Sequence, residues 1–347
     1  MHMSDALLSA QVGAVFWVVA GGAVTLAARR VRATSASATP MAGVMGAFVF
    51  AAQMVNFTIP GTGSSGHLAG GMLLAILLGP YPALLAMTSV LTIQALFFAD
   101  GGLLALGANI LNMGVIPCLV LHPMVFRPLA GAQPVAGRRL RIAVFVSAWL
   151  ALLVGALGVV VETWLSGISG LPFTPFLLTM GTIHLAIGLV EGAITVAVVA
   201  LLLKARPDWP LSREALVPAP HHWGRVPVVV GVAALLTGGV LSWFASASPD
   251  GLEWSVSRLT GTGESLEGNS TLHQATARLQ AFIAPMPDYA FRSASDAPEE
   301  SVEKRWGAPD GASSLAGIAG GVLTVLILGL LAGIPQRRKT TNDPPSV

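Results

Sequence analysis

The 347-residue chain is 54% hydrophobic and only 10% charged, against roughly 25% charged residues in an ordinary soluble domain. Too few charges remain to cover a water-facing surface, so water is excluded as the main solvent and a bilayer takes its place. The 19 basic and 17 acidic residues nearly balance, and the basic ones cluster between apolar runs, a pattern of membrane topology and not of nucleic-acid binding; the single cysteine, Cys118, excludes an intrachain disulfide and a thiolate metal cluster.

Apolar runs fall at residues 10–28, 41–57, 67–79, 82–99, 103–121, 141–162, 176–203, 226–246 and 315–334, most of them near the roughly 20 residues that cross a bilayer as a helix. The third is short and alone reads as re-entrant. Charge decides for a crossing. With nine spans and an outside N-terminus, the basic groups Arg29–Arg32, Arg127–Arg141, Lys204–Arg225 and Arg337–Lys339 all fall inside, and only Arg258, Arg278, Arg292, Lys304 and Arg305 fall outside. Residues 1–28 do not read as a cleaved signal peptide, because the arginines follow the apolar core instead of preceding it.

The expected fold is therefore all-α and polytopic, with about nine transmembrane helices and an inside C-terminus. Residues 1–203 form a seven-span domain, 204–225 a Pro-rich cytoplasmic linker, and 226–347 a two-span unit with an outside segment at 247–314 that reads as loosely folded.

The chain opens Met1-His2. A terminal amine, the amide nitrogen of residue 2 and a His2 Nδ1 close two fused chelate rings in one plane, a geometry that suits Ni(II) or Cu(II) and fits tetrahedral Zn(II) poorly. The competing reading is a histidine that follows the first methionine by chance. A fourth in-plane donor on the same side is His67, which follows the loop Gly61-Thr62-Gly63-Ser64-Ser65-Gly66; glycines there let another stretch of backbone approach closely. An interfacial histidine without a metal is the alternative.

His184 and Glu191 share a face of the seventh run, and ionisable groups inside a membrane are functional candidates; a mutual hydrogen bond that stiffens the bundle is the other reading. Gln53, Asn56, Ser65, Asn109 and Asn112 are candidates for holding the metal-binding groups in place, or interhelical glue. His122, His221 and His222 read as solvated loop residues, and His273 as a transient outside contact for metal. Gly43, Ala47 and Ala51 form a smooth stripe for close helix packing, internal or with a partner. Neither GTGSSGHL nor GTGESLEG carries the lysine of a phosphate-binding loop, so ATP hydrolysis and other enzyme chemistry are not expected.

The blocks Met1-His2, Asn56-Phe57-Thr58-Ile59-Pro60 running into SSGHLAGG at 64–71, LLGPYPA, and DGGLLALGANILNMG at 100–114 resemble the substrate-binding membrane component of nickel and cobalt energy-coupling-factor transporters. The segment Pro249-Asp250-Gly251-Leu252-Glu253 resembles the signature of the small auxiliary subunit of the same systems. The resemblance implies a fusion of both subunits in the cytoplasmic membrane of a prokaryote, working with a transmembrane coupling subunit and two cytoplasmic ATPases. It implies Ni(II), or Co(II), as transported substrate without an organic cofactor, held by the Met1 amine, the His2 amide and imidazole, and His67. The loop departs from many relatives, which have Asn-Phe-Pro and a Gly-Gly-Thr run, and this bears on loop shape and on nickel against cobalt. An autonomous metal permease and a membrane metal sensor are the rival readings.

Overall fold

The computed structural model describes residues 2–34, 39–131, 136–207, 209, 225–261, 270–292 and 306–333. His221 and His222, like Met1, lie outside the described residues. The chain runs α1 (Ala10–Thr34), α2 (Thr39–Gln53), a hairpin of β1 (Phe57–Ile59) and β2 (Ser64–Gly66), α3 (Gly71–Leu78) and α4 (Pro80–Phe97). It continues with α5 (Leu106–Ala130), α6 (Arg138–Ser166), α7 (Phe173–Ala205), α8 (Val226–Gly239), α9 (Gly251–Thr260), α10 (Thr271–Ile283) and α11 (Gly311–Gly333).

Among the described residues six helices are long and apolar enough to cross a membrane: α1, α4, α5, α6, α7 and α11. Residues 40–53 and 226–239 form two shorter apolar helices. The helix of the expected third crossing is short. Its run yields only the eight residues of α3, roughly 12 Å of helix against a hydrocarbon core of about 30 Å. Glycine explains the shortening: Gly70 (φ 77°) and Gly79 (φ 82°) take left-handed backbone at the two ends, where helices stop. Most of α3 is buried, and a Cβ on Gly71 would overlap the Met113 carbonyl of α5. The half-helix is therefore wedged inside the bundle.

The all-α expectation has one exception. Phe57–Ile59 pairs antiparallel with Ser64–Gly66, turning at Gly61 and Gly63, both at φ 75°. Within α5, residues Leu111–Phe126 wind as a π-helix containing Pro117 and Pro123. This continuous helix carries His122 into the interior at 2% exposure, so it is not a solvated loop residue. The segment 247–314, expected to be loosely folded, contains α9 and α10 among its described residues.

The small-residue stripe of α2 is internal packing. Gly43 abuts Val325, Gly321 lies against Ala47, and Gly238 of α8 approaches both Gly317 of α11 and Ala51. Close approach of this kind supplies van der Waals contact where lipid offers no hydrophobic gain. A Cβ on Gly320 would overlap the ring of Phe50, which is fully buried. Gly320→Val is thus expected to destabilise by about 1–3 kcal/mol through overpacking, read as a lower Tm in detergent; an unchanged Tm would refute this packing.

Candidate metal site

Residues 2–8 thread into the bundle as a strand and one turn, with Met3, Leu7 and Leu8 buried. Buried backbone needs partners, and Asn109 of α5 supplies two. Its Oδ1 accepts from the Met3 N–H at 2.8 Å and its Nδ2 donates to the Met3 carbonyl at 3.1 Å. Gly102 N–H donates to the same carbonyl at 3.0 Å. Asp5 continues the anchoring, accepting from Ala105 N–H at 2.9 Å. Only glycine fits at 102, because a Cβ there would overlap the Asp5 carboxylate.

His67 arrives from the hairpin. After β2, the carboxylate of Glu191 on α7 accepts from the Ala69 N–H at 2.7 Å and the Gly70 N–H at 3.0 Å. Glu191 therefore fixes the chain between His67 and α3. It does not meet His184, whose Nδ1–H donates to the Met180 carbonyl at 2.8 Å. The two anchors bring His2 and His67 together, with ring centroids 5.3 Å apart and planes 14° from parallel.

Burial lowers the pKa of His2 below its usual 6.5, outweighing the nearby Asp100 carboxylate. Burial likewise pushes His67 down to about 3. Both rings are therefore neutral near pH 7, the form that binds metals. His67 Nδ1 lies 3.2 Å from the Leu68 carbonyl; a carbonyl only accepts, so Nδ1 carries the proton and Nε2 keeps its lone pair. Among the described residues no group of three or more His, Cys, Asp or Glu is placed to hold an ion.

Of the polar groups singled out in the sequence, Gln53 and Asn109 join this site. Asn112 instead donates to Glu162 at 2.8 Å on α6. Asn56 accepts from Ser246 N–H at 2.8 Å through its backbone carbonyl. His273 is no free outside ligand, since its ring nitrogens face Ser270 Oγ at 2.5 Å and the Leu8 carbonyl at 2.8 Å. Three residues around His2 were missed: Gln94, Asp100 and Tyr289. Gln94 was open to discovery by the rule that flagged Gln53, a polar side chain in an apolar run.

Ser65 docks the auxiliary motif. Its N–H donates to the Pro249 carbonyl at 2.8 Å and its hydroxyl to the Ser248 carbonyl at 2.7 Å. Asp250 then caps α9, accepting from Leu252 and Glu253 N–H at 2.8 and 2.9 Å, while Glu253 accepts from the Asp250 N–H at 3.2 Å, a reciprocal capping box. Gly251 has no room for a side chain, since a Cβ would lie 2.8 Å from His184 Cε1. From α10, Gln280 donates to the Ala95 and Gly101 carbonyls at 2.9 and 2.7 Å, and Thr276 to Asp5 at 2.8 Å. Tyr289 donates to Asp100 Oδ2 at 2.5 Å; burial and the Asp100 charge push its phenol well above 10, which keeps the donor proton in place.

The fold is that of a multi-pass membrane protein, with a buried histidine pair under an inserted N-terminal strand. Residues 2–209 match the family model described as the cobalt uptake substrate-specific transmembrane region, and residues 224–337 match the PDGLE domain. The chain belongs to the cobalt uptake substrate-specific transmembrane family, with a PDGLE domain joined to it. It is 30% identical over 357 residues to a fused nickel transport protein NikMN of Rhodobacter capsulatus, covering 96% of this chain and 98% of that one. A cobalt transport protein CbiM of Geobacter sulfurreducens is 35% identical over 216 residues, 60% of this chain and 61% of its own. A crystal structure of a transition metal transporter matches with TM-score 0.53 and 30% identity, covering 60% of this chain and 95% of that one.

Glu191→Gln would set an amide NH2 against one of two buried backbone N–H groups. The expected cost is about 1–3 kcal/mol, read as a lower Tm of the purified chain. A Tm equal to the parent's would show that the carboxylate does not hold this loop.

Proposed function

We propose that this chain captures Ni(II) from outside and acts as the substrate-specific membrane component of an ATP-driven energy-coupling-factor transporter. The metal is held by four nitrogens: the Met1 amine, the His2 amide nitrogen and Nδ1, and His67 Nε2. The observation that carries this reading is the buried His2–His67 pair at 5.3 Å beneath the anchored N-terminal strand. Two imidazoles do not complete a site, and a histidine in second position supplies main-chain nitrogens that do. Ni(II) accepts the plane they define.

Nickel is preferred as substrate because a relative that matches almost the whole chain is named a nickel transport protein; cobalt is the second reading, from the family description. A transmembrane coupling subunit and two ATPases in the cytoplasm supply the work, and the chain sits in the cytoplasmic membrane of a prokaryote with the site facing outward. Residues 1–203 form the binding domain, 204–225 a linker on the cytoplasmic side, and 226–347 the auxiliary domain. Reconstitution with candidate ATPase partners separates this reading from an autonomous permease, which takes up nickel alone.

Two experiments test the ligand set. Acetylation of the Met1 amine takes its lone pair out of the chelate, and nickel binding by calorimetry is expected to weaken by at least about tenfold, as is binding by His67→Ala. Parent affinity in either removes that donor.

The proton balance gives a third test. Metal displaces an amide proton at all accessible pH and an amine proton below that group's usual pKa of about 7.7–8.0. The rings release none near neutrality, because burial already lowers both imidazole pKa values. Between pH 7 and 6 the nickel affinity is therefore expected to fall by about two log units. A pH-independent affinity over that range would exclude main-chain nitrogen as a donor.

A further inference from the structure

Three buried amides and carbonyls lead from the half-helix loop to His2. Gln53 Nε2 donates to the Ala69 carbonyl at 2.9 Å, and Gln94 Nε2 donates to Gln53 Oε1 at 2.8 Å. Gln94 Oε1 then faces His2 Nε2 at 3.1 Å. The Ala69 carbonyl has no proton to give, so it sets the direction of the whole row. Reversing both amides would point Gln53 Oε1 at that carbonyl, two acceptors in contact. Water offers no escape, because Gln53 is 5% exposed and Gln94 fully buried. The last oxygen of the row can only accept, and so His2 Nε2 must bear hydrogen.

We propose that Gln53 and Gln94 are positioning residues that fix the proton of His2 on Nε2 and thereby dedicate its Nδ1 to the metal. This rests on the metal site proposed above. Chelation by a residue in second position uses Nδ1, the ring nitrogen next to the main chain, whereas the opposite tautomer would protect that atom. Outer partners of metal-binding imidazoles act in this way, fixing tautomer and ring orientation.

A second contact bears on the same ring. Asp100 Oδ1 lies 3.2 Å from His2 Nδ1, while its other oxygen is occupied by the Tyr289 hydroxyl. With the proton on Nε2, a nitrogen lone pair and a carboxylate oxygen face each other. A cation bound to Nδ1 turns that opposition into attraction, so the pocket is complementary to a ring carrying N–H on one side and metal on the other. The rival arrangement, Nδ1–H on Asp100, satisfies the carboxylate but sets a lone pair against Gln94 Oε1.

The test is the ¹⁵N spectrum of the His2 side chain in the full metal-free chain, assigned by its loss in His2→Ala, together with Ni(II) titration. The parent is expected to be the Nε2–H tautomer, with nickel perturbing Nδ1. Gln94→Met removes the acceptor: the tautomer should shift toward Nδ1–H and the nickel Kd should rise about 10–100-fold. Gln94→Glu still accepts from Nε2–H, although it loses the donor to Gln53 Oε1, and should keep the parent tautomer. Should Gln94→Met not fold, Gln53→Met serves: it frees Gln94 to turn over and should give mixed tautomers with an intermediate Kd. A parent found as Nδ1–H, or a tautomer shift without a change in Kd, overturns the proposal. A parent found as Nε2–H that nickel leaves unperturbed would overturn the metal site and with it the role given to the relay.

Discussion

Asn109 grips the main chain of Met3 at both its N–H and its carbonyl, and the position of residue 2 follows from that grip. In an interior shielded from water each backbone group must find a partner. A single asparagine on a membrane helix meets two of these needs, and Gly102 adds a third bond. The opposite wall is fixed in the same manner, by Glu191 holding the N–H groups that follow His67. Two histidines far apart in sequence are thus set face to face by polar groups that each satisfy backbone. Preorganisation of this kind lowers the ordering cost that binding would otherwise carry.

The auxiliary segment closes over the same place. Ser65, one residue before the hairpin ends, binds the carbonyls of Ser248 and Pro249. Gln280 and Tyr289 hold the Asp100–Gly101 turn that lies against His2. His273 and Thr276 hold the turn that follows Met3, through Leu8 and Asp5. Each contact joins the two matched regions of the chain at the mouth of the histidine pair. A covalent fusion raises the effective concentration of one unit around the other, which suits bonds that are individually modest.

Much of this was legible in the sequence. Apolar length gave most of the helices, and the position of His2 with the glycine loop before His67 gave the pair of rings. The remainder depended on partners that no local pattern reveals. Gln94 lies 92 residues from His2, and Tyr289 lies 189 residues from Asp100; a lone polar residue in an apolar run announces that it needs a partner but not which one. The third run was read as a crossing on charge balance, and its helix is confined to the eight residues between Gly70 and Gly79. Strands of three residues are too short for alternation to register, so the hairpin went unseen. His122 was put in a loop by the charges that follow it, although the π-helical turns of α5 bury it. The Ser- and Gly-rich outside segment gave no sign of α9 and α10, whose order comes from docking onto the bundle.

The central claim is that main-chain nitrogen completes the coordination begun by the two imidazoles. X-ray absorption at the nickel edge, on the purified chain with its native N-terminus, addresses this most directly. The account predicts four nitrogen donors in a plane, two of them imidazoles, and the pre-edge signature of square-planar nickel. A six-coordinate spectrum with oxygen donors would contradict it.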